Sequence, residues 1–223
     1  MTNTPETRTA NMVHFPSKDA SDPNALDEYL DTIRTDVDTN TTDIATNTSD
    51  LTTIKGGLQE LWLPASVWLN NAGVPPYSLV TMAAGPLPAF TFDPTSPEYV
   101  WYSWAPPKRW NNGTIQFQVY WSLDSVGTND VVWSLEVGAH SDGDSIANSF
   151  NIGTVTDSGT GADGDLQISA KSSALTVANT PATGDLIKLT WYRNAGAAGD
   201  TATVDAHGIG IKIFWTADAG SDD

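Results

Sequence analysis

The first regular pattern along the chain is a heptad repeat between residues 26 and 61. The mostly apolar positions of this segment recur after alternating steps of four and three residues without interruption. This spacing is typical of a coiled coil rather than of a helix lying on a globular core. Asp22 is suited to cap this helix, and Pro23 to occupy its first position. The apolar seam, which we define as the a and d positions, comprises Leu26, Leu30, Ile33, Val37, Asn40, Ile44, Asn47, Leu51, Ile54, Leu58 and Leu61.

The residue types in the seam predict how many chains associate. Ile33 and Ile54 occupy d positions, and Ile at d favours three or four strands over a parallel dimer. Asn40 and Asn47 also occupy d positions, where each buried amide without a partner would cost about 1 to 3 kcal/mol. Amides from neighbouring chains, a water or an anion would satisfy them. We therefore predict a trimerisation stalk over residues 23–61; the alternative is a single amphipathic helix packed on its own domain.

Residues 62–223 follow a two-residue period instead. Apolar residues alternate with polar ones in four segments, and turn-rich segments such as HSDGDS and DSGTGADGD separate them. Such spacing predicts a mainly β fold, an antiparallel β-sandwich of jelly-roll type, with some eight to ten short strands. The predicted inward positions are Ile115, Phe117, Val119, Trp121, Val131, Trp133, Leu135, Val137, Ile187, Leu189, Trp191, Ile209, Ile211, Ile213 and Trp215.

Residues 1–22 complete the predicted organisation. They are polar, include two prolines and show no hydrophobic period, so we expect an arm without a core of its own. The predicted order is an N-terminal anchoring arm (1–22), a coiled-coil stalk (23–61) and a β-sandwich head (62–223).

Composition narrows the range of functions. The chain carries 27 acidic and 10 basic residues, a net charge of -17, so an anionic nucleic acid or membrane surface would repel it. Cysteine is absent, which excludes disulfides and thiolate chemistry. No apolar run approaches the roughly 20 residues of a transmembrane helix, and the polar start does not resemble a signal peptide. We therefore predict no nucleic-acid partner and no membrane insertion, and the acidity suggests a saline habitat.

The sequence contains no recognisable catalytic constellation. Its three histidines belong to no hydrolase or metalloprotease motif, and His140, Ser141 and Asp142 are consecutive, so their side chains cannot form a relay. The acidic loops lack the spacing of a calcium-binding loop and are predicted to be solvated turns. We predict a protein that is not an enzyme and needs no metal or cofactor. A polysaccharide hydrolase remains an alternative if Glu98 and Glu136 face each other across a groove.

Nine tryptophans, all beyond residue 61, raise the question of saccharide binding. Four lie on the alternating apolar faces and are predicted to be in the core. A further cluster surrounds a Pro-Pro turn in EYVWYSWAPPKRWNNG, where an exposed indole would give a sugar ring a flat surface to stack on. Its members are Trp101, Trp104, Arg109 and Trp110, which we predict to form either a glycan contact or a contact between subunits.

The order of parts resembles the trimeric fibre, spike and decoration proteins of tailed viruses. TDIATNTSDLTTI is similar to the trimeric stalks of viral fibres and adhesins, and the region from LWLPASVW to GIGIKIFW looks like a module of tailed-phage structural proteins. The resemblance implies a parallel homotrimer, anchored by its arm to capsid or tail proteins of the virion, with the head displayed outward. The cluster at Trp101–Trp110 adds the hypothesis that the head attaches to a host-surface glycan. The alternatives are a capsid decoration protein without a receptor role and a carbohydrate-binding module.

Overall fold

The computed structural model describes residues 23–55, 57–71, 74–82, 85–162 and 164–218. The predicted arm therefore lies outside the described residues. The chain divides into two compact units, residues 1–51 and 52–223.

The predicted helix is present as α1, Pro23–Lys55. Several threonine hydroxyls along it donate to the carbonyl oxygen one turn earlier, as Thr35 does to Asp31 at 2.9 Å and Thr41 to Val37 at 2.8 Å. These bonds satisfy the hydroxyls without a partner chain. Asn40 and Asn47 are exposed on the helix surface. The side chains of Leu26, Leu51 and Ile54 lie outside the described set.

The predicted end of the stalk at residue 61 is wrong, because the last residues of that range form a short strand and not a helix. The helix ends at Lys55 and a β-strand begins at Leu58, so Leu58 and Leu61 belong to the sheet and not to the helical seam. Glycine is a poor helix former, and Gly57 lies outside the helix although the apolar spacing continues past it. Gly57 O then accepts from Ala217 N at 3.0 Å, which starts the pairing of this strand.

Eleven strands follow in the described part of the chain. They are β1 Leu58–Pro64, β2 Leu69–Asn70, β3 Tyr77–Met82, β4 Gly85–Phe92, β5 Tyr99–Trp104, β6 Trp110–Leu123, β7 Asp130–His140, β8 Asn151–Ser158, β9 Gln167–Ile168, β10 Leu186–Arg193 and β11 Ala206–Ala217. A 3₁₀ turn, Ala65–Val67, separates β1 from β2.

The strands form two antiparallel sheets. The six-stranded sheet has the order β3-β4-β11-β6-β9, with β1 pairing the second half of β11 beyond β4. The five-stranded sheet has the order β2-β5-β10-β7-β8. The predicted mainly β, antiparallel sandwich is confirmed.

A core rich in tryptophan joins the two sheets. Phe92 of the six-stranded sheet meets Trp133 of the other with ring centroids 5.3 Å apart, and Trp121 meets Trp133 at 5.9 Å. The predicted inward residues of β6, β7 and β10 are all buried in this core. Aromatic rings of this size bury a large apolar area each, which is how short strands gain a stable core.

One predicted inward position is buried, but outside the main core. Ile209 was expected inward with Ile211 and Ile213, but the register of β11 shifts between Gly208 and Gly210. A β-bulge of this kind adds one residue and redirects the side chains on one side of it. Ile209 is consequently 8% exposed, lies outside the main cluster of buried residues and lines a surface cleft.

A buried ion pair fixes the chain between β10 and β11. Arg193 Nη2 lies 2.7 Å from Asp200 Oδ1, and both side chains are inaccessible to solvent. The guanidinium also donates to the carbonyl oxygens of Val204, at 2.7 Å, and Ala202. With its donors satisfied in this way, the charge is tolerated in the core and holds the loop against the sandwich.

Candidate functional site

A cleft of about 530 Å³ opens on the outer face of the six-stranded sheet. Its lining is mostly apolar and includes two aromatic rings and one pair of opposite charges. The lining residues are Glu60, Trp62, Leu87, Tyr120, Leu166, Ile209 and Lys212. We call this feature the cleft.

Strand register brings these side chains together. Trp62 of β1 pairs with Lys212 of β11, and Tyr120 of β6 pairs with Gly210 of β11. Side chains of paired residues point to the same face of a sheet, while their neighbours along each strand point into the core. Leu61 and Leu63 accordingly pack inward on either side of Trp62.

Trp62 is held in place without being covered. A Cβ atom at position 210 would lie 2.6 Å from Cη2 of the indole, so the ring lies directly against the β11 backbone, where only glycine leaves room for it. The Tyr120 ring meets the indole edge-on, with centroids 4.8 Å apart and an interplanar angle of 74°. The side chain nevertheless remains 41% exposed. A fixed, exposed indole is the central feature of the cleft.

The charged pair closes one side of the cleft. Lys212 Nζ lies 3.3 Å from Glu60 on the neighbouring strand. The hydrogen bond to Glu60 raises the pKa of Lys212, so its ammonium stays charged. The pair gives the cleft a donor and an acceptor side by side in an otherwise acidic molecule.

The predicted cluster at residues 101–110 is divided by the structure. Trp104 and Trp110 are 6% and 2% exposed, with ring centroids 5.5 Å apart, and Trp104 also packs against Trp215 at 6.2 Å. Burial leaves neither indole a face for a sugar, so both are removed from the candidate glycan contacts.

The other two members of the cluster stay at the surface. Arg109 is exposed, lies over Trp215 at 5.9 Å and donates to Gln59 Oε1 at 3.3 Å. Trp101 is half-buried on the outer face of the five-stranded sheet, with Thr190 as its cross-strand partner.

Sequence reasoning missed Trp62 because it lay at the predicted boundary between stalk and head. The alternation in LQELWLP, with Glu60 and Trp62 on one face and Leu61 and Leu63 on the other, is the signal that identifies it. The second signal is Gly210 in GIGI, a small residue within a strongly apolar strand.

His207 takes part in a chain of polar side chains on the same sheet face. Its Nδ1 lies 3.1 Å from Thr91 Oγ1, its Nε2 lies 3.1 Å from Asp124 Oδ1, and Thr91 Oγ1 lies 3.2 Å from Ser78 Oγ. These contacts link β3, β4, β11 and the end of β6. His207 is buried and hydrogen-bonded.

The acidic loops use their carboxylates within the chain. Asp144 accepts from Ser141 N at 2.9 Å, and Asp157 accepts from the Trp121 indole at 2.8 Å. Among the described residues, no three acidic or histidine side chains are grouped in a way that suits a metal ion.

The two candidate hydrolase carboxylates have separate partners. Glu98 accepts from Asp93 N at 2.9 Å. Glu136 lies on β7, where Lys188 and Thr190 are the groups that act on its ionisation.

Solved structures with a similar architecture include carbohydrate-binding modules. One is the CBM36-1 domain of a multidomain xylanase from the hindgut metagenome of Trinervitermes trinervoides, with 13% identity, 70% of this chain and 96% of that chain covered, and a TM-score of 0.41. A second is a CBM36 module in complex with calcium and xylotriose, with 15% identity, 70% and 98% coverage and a TM-score of 0.39. A third is the mannan-recognising module TmCBM27, with 8% identity, 72% and 98% coverage and a TM-score of 0.37. Similarities at this level do not indicate a shared function.

No family model and no curated protein matches the sequence. Within the described ranges, no helix has the length and apolarity needed to cross a membrane.

Proposed function

We propose that the unit of residues 52–223 binds carbohydrate in the cleft without transforming it. The observation that carries this proposal is the exposed indole of Trp62, fixed between Gly210 and the Tyr120 ring beside the Glu60–Lys212 pair. The apolar face of a pyranose ring stacks on such an indole, while neighbouring charged groups bind its hydroxyls. The volume of the cleft, about 530 Å³, lies within the range of small-molecule sites.

Charge selects the class of glycan. With a net charge of -17, the protein repels polyanions such as uronic-acid polymers, so neutral glycans are favoured. Lys212 is already paired with Glu60 and does not supply a free cation for a carboxylate.

The lining of the cleft supports binding rather than hydrolysis. Glycoside hydrolysis uses two carboxyl groups about 5 to 9.5 Å apart on either side of the scissile bond. Among the lining residues of the cleft, Glu60 is the only carboxylate, and it is ion-paired.

Trp62→Ala tests the proposal. We expect the variant to bind neutral oligosaccharides on a glycan array at least tenfold more weakly than the wild type, because the stacking surface is lost. Val126→Ala is the matched control, since it also removes an exposed apolar side chain, but one that does not line the cleft. Equal binding by Trp62→Ala and the control, with thermal unfolding unchanged, would rule out the cleft.

A homotrimer formed through α1 is the second part of the proposal. The seam residues Leu30, Ile33, Val37 and Ile44 are 51%, 39%, 55% and 65% exposed on the helix of a single chain. Apolar residues in heptad spacing gain stability by packing against equivalent residues of other helices, and the Ile at d favours three chains. Three heads held together would bind a glycan-covered surface with higher avidity than one.

We further propose, from the resemblance of the stalk and head to virion proteins, that this trimer is a non-enzymatic component of a tailed-virus particle. In this arrangement residues 1–22 attach to capsid or tail proteins and the heads face the host. Mass spectrometry of purified particles tests the location, and particles without its peptides contradict it. Particle-borne trimers whose heads bind no glycan would instead have the role of capsid decoration.

A further inference from the structure

A second surface combines aromatic and polar side chains on the outer face of the five-stranded sheet. Strand register sets its two central rows. Tyr99, Tyr192 and Ser134 are cross-strand neighbours in one row, and Trp101, Thr190 and Glu136 in the next. We call this surface the second face.

Aromatic rings form one side of the second face. Tyr99 and Tyr192 have ring centroids 4.7 Å apart, and Tyr99 keeps more than a third of its surface exposed. Trp101 is half-buried next to them on β5, and the exposed Leu69 of β2 pairs with it from the sheet edge. A ring system of this kind stacks on flat, partly apolar ligands.

Polar groups form the other side. Ser134 and Thr190 are buried in the middle of the face, and Ser134 Oγ has no partner that meets hydrogen-bond geometry among the described residues. Ser134 lies near enough to the Tyr192 hydroxyl to oppose the effect of burial, which raises the pKa of Tyr192. Burial raises the pKa of Glu136, and this effect outweighs the opposing influence of Lys188 and the hydrogen bond from Thr190.

These polar groups indicate what the second face binds. An apolar protein surface, including another copy of this sheet, would cover the partly exposed Glu136 without offering it a hydrogen bond, at a cost of about 1 to 3 kcal/mol. A saccharide offers hydroxyls that donate and accept at its edge together with an apolar ring face. Lys188 and Glu136 are close enough to interact, so the face has no uncompensated positive charge to attract an anionic sugar.

We propose that the second face is an additional binding site for a neutral saccharide, so that each head binds two glycan segments on opposite sides of the sandwich. Trp101 and Tyr99 stack on the sugar and Glu136 accepts from its hydroxyls, while the buried Thr190 holds Glu136 through a hydrogen bond. This site shares its ligand class with the proposed function but none of its residues with the cleft.

Isothermal titration calorimetry of the full-length protein tests the proposal. The probes are the β-1,4-linked tetrasaccharides of xylose, glucose and mannose. We expect two sites per chain in the wild type with at least one probe, one site in Trp101→Ala, one site in Trp62→Ala and none in the double variant. Ile146→Ala, an exposed loop substitution, is the control and should retain two sites.

Because Trp101 is half-buried, Tyr99→Ala provides a second variant with less risk to folding. We expect it to weaken one of the two sites at least tenfold. If the wild type has one site per chain, and Trp62→Ala removes it while Tyr99→Ala leaves it unchanged, the proposal for the second face is overturned and that for the cleft stands. If the single site is removed by Trp101→Ala or Tyr99→Ala but not by Trp62→Ala, the proposal for the cleft is overturned and that for the second face stands. No binding of any probe overturns both proposals.

Discussion

At the scale of single residues, partly buried carboxylates point to functional sites, because their desolvation costs free energy. Glu98, Glu136 and Asp205 all have a raised pKa, and in each case burial of the carboxyl is the largest cause. A folded protein tolerates such carboxylates when they serve another purpose, and perturbed groups concentrate at functional sites. Glu136 is the one placed among exposed aromatic rings.

Glu136→Gln makes this cost measurable. The pKa of Glu136 is raised in the folded state, so protonation of Glu136 stabilises the fold. This contribution to the free energy of unfolding is fully present below the unfolded-state pKa of about 4.3 and is lost as the pH rises through the folded-state pKa. We expect the variant to exceed the wild type in free energy of unfolding at pH 7 by at most about 1 kcal/mol, because water screens a half-exposed group.

The difference between variant and wild type should shrink as the pH falls toward 4. Chemical denaturation at a series of pH values measures it. Asp142→Asn, which removes a carboxylate from an exposed turn, is the control variant. A variant less stable than the wild type at pH 7 would contradict the expected sign.

At the scale of elements, the sequence predicted which residues of a strand face the core better than it predicted where elements end or strands bulge. Two-residue alternation placed β6, β7 and β10 correctly because large apolar side chains alternate along these strands and face the core, although several outward residues of β7 and β10 are buried too. The position of Ile209 in the cleft escaped prediction because a bulge changes the phase within a strand, and alternation alone does not reveal where the phase changes. Leu58 and Leu61 were assigned to the helix because their spacing happens to continue the heptad beyond Gly57. The cleft was missed for the same reason, since Trp62 follows directly in that strand.

The oligomeric state tests the role of α1. Light scattering should give the wild type about three times the monomer mass of 23.8 kDa. Ile44→Asp places a charge in the seam and should reduce the mass to that of one chain, because a buried, unpaired carboxylate is strongly unfavourable. Thr42→Asp adds the same charge two residues away, outside the seam, and should leave the trimer intact. A wild-type mass of a single chain would refute the proposed stalk.

At the scale of the whole molecule, net charge is the dominant electrostatic feature. With 27 acidic and 10 basic residues, the folded chain repels itself, and salt shortens the range of that repulsion from about 10 Å at 0.1 M to about 3 Å at 1 M. The few ion pairs, such as Lys212–Glu60 and Arg193–Asp200, neutralise only a small part of the excess.

Stability should therefore rise with salt. We expect the Tm of the full-length protein to increase by about 5 °C or more between 0.1 and 1 M KCl, since screening removes repulsion that unfolding would otherwise relieve. Differential scanning calorimetry measures the shift. Potassium chloride is preferred to a sulfate salt, which stabilises proteins by exclusion from their surface irrespective of charge. A constant or falling Tm would argue against adaptation to saline surroundings.

The position of β11 has a consequence for how the molecule is made. This strand lies between β6 on one side and β4 and β1 on the other, yet it comes last among the strands. While the ribosome is still synthesising residues 206–217, β1 and β6 lack the strand that joins them, and the two walls of the cleft are not yet connected. Until synthesis has passed this point, β1 and β6 of the new chain have unpaired strand edges. A chain that terminates before residue 206 keeps these edges exposed, so we expect it to aggregate rather than to form a smaller functional protein.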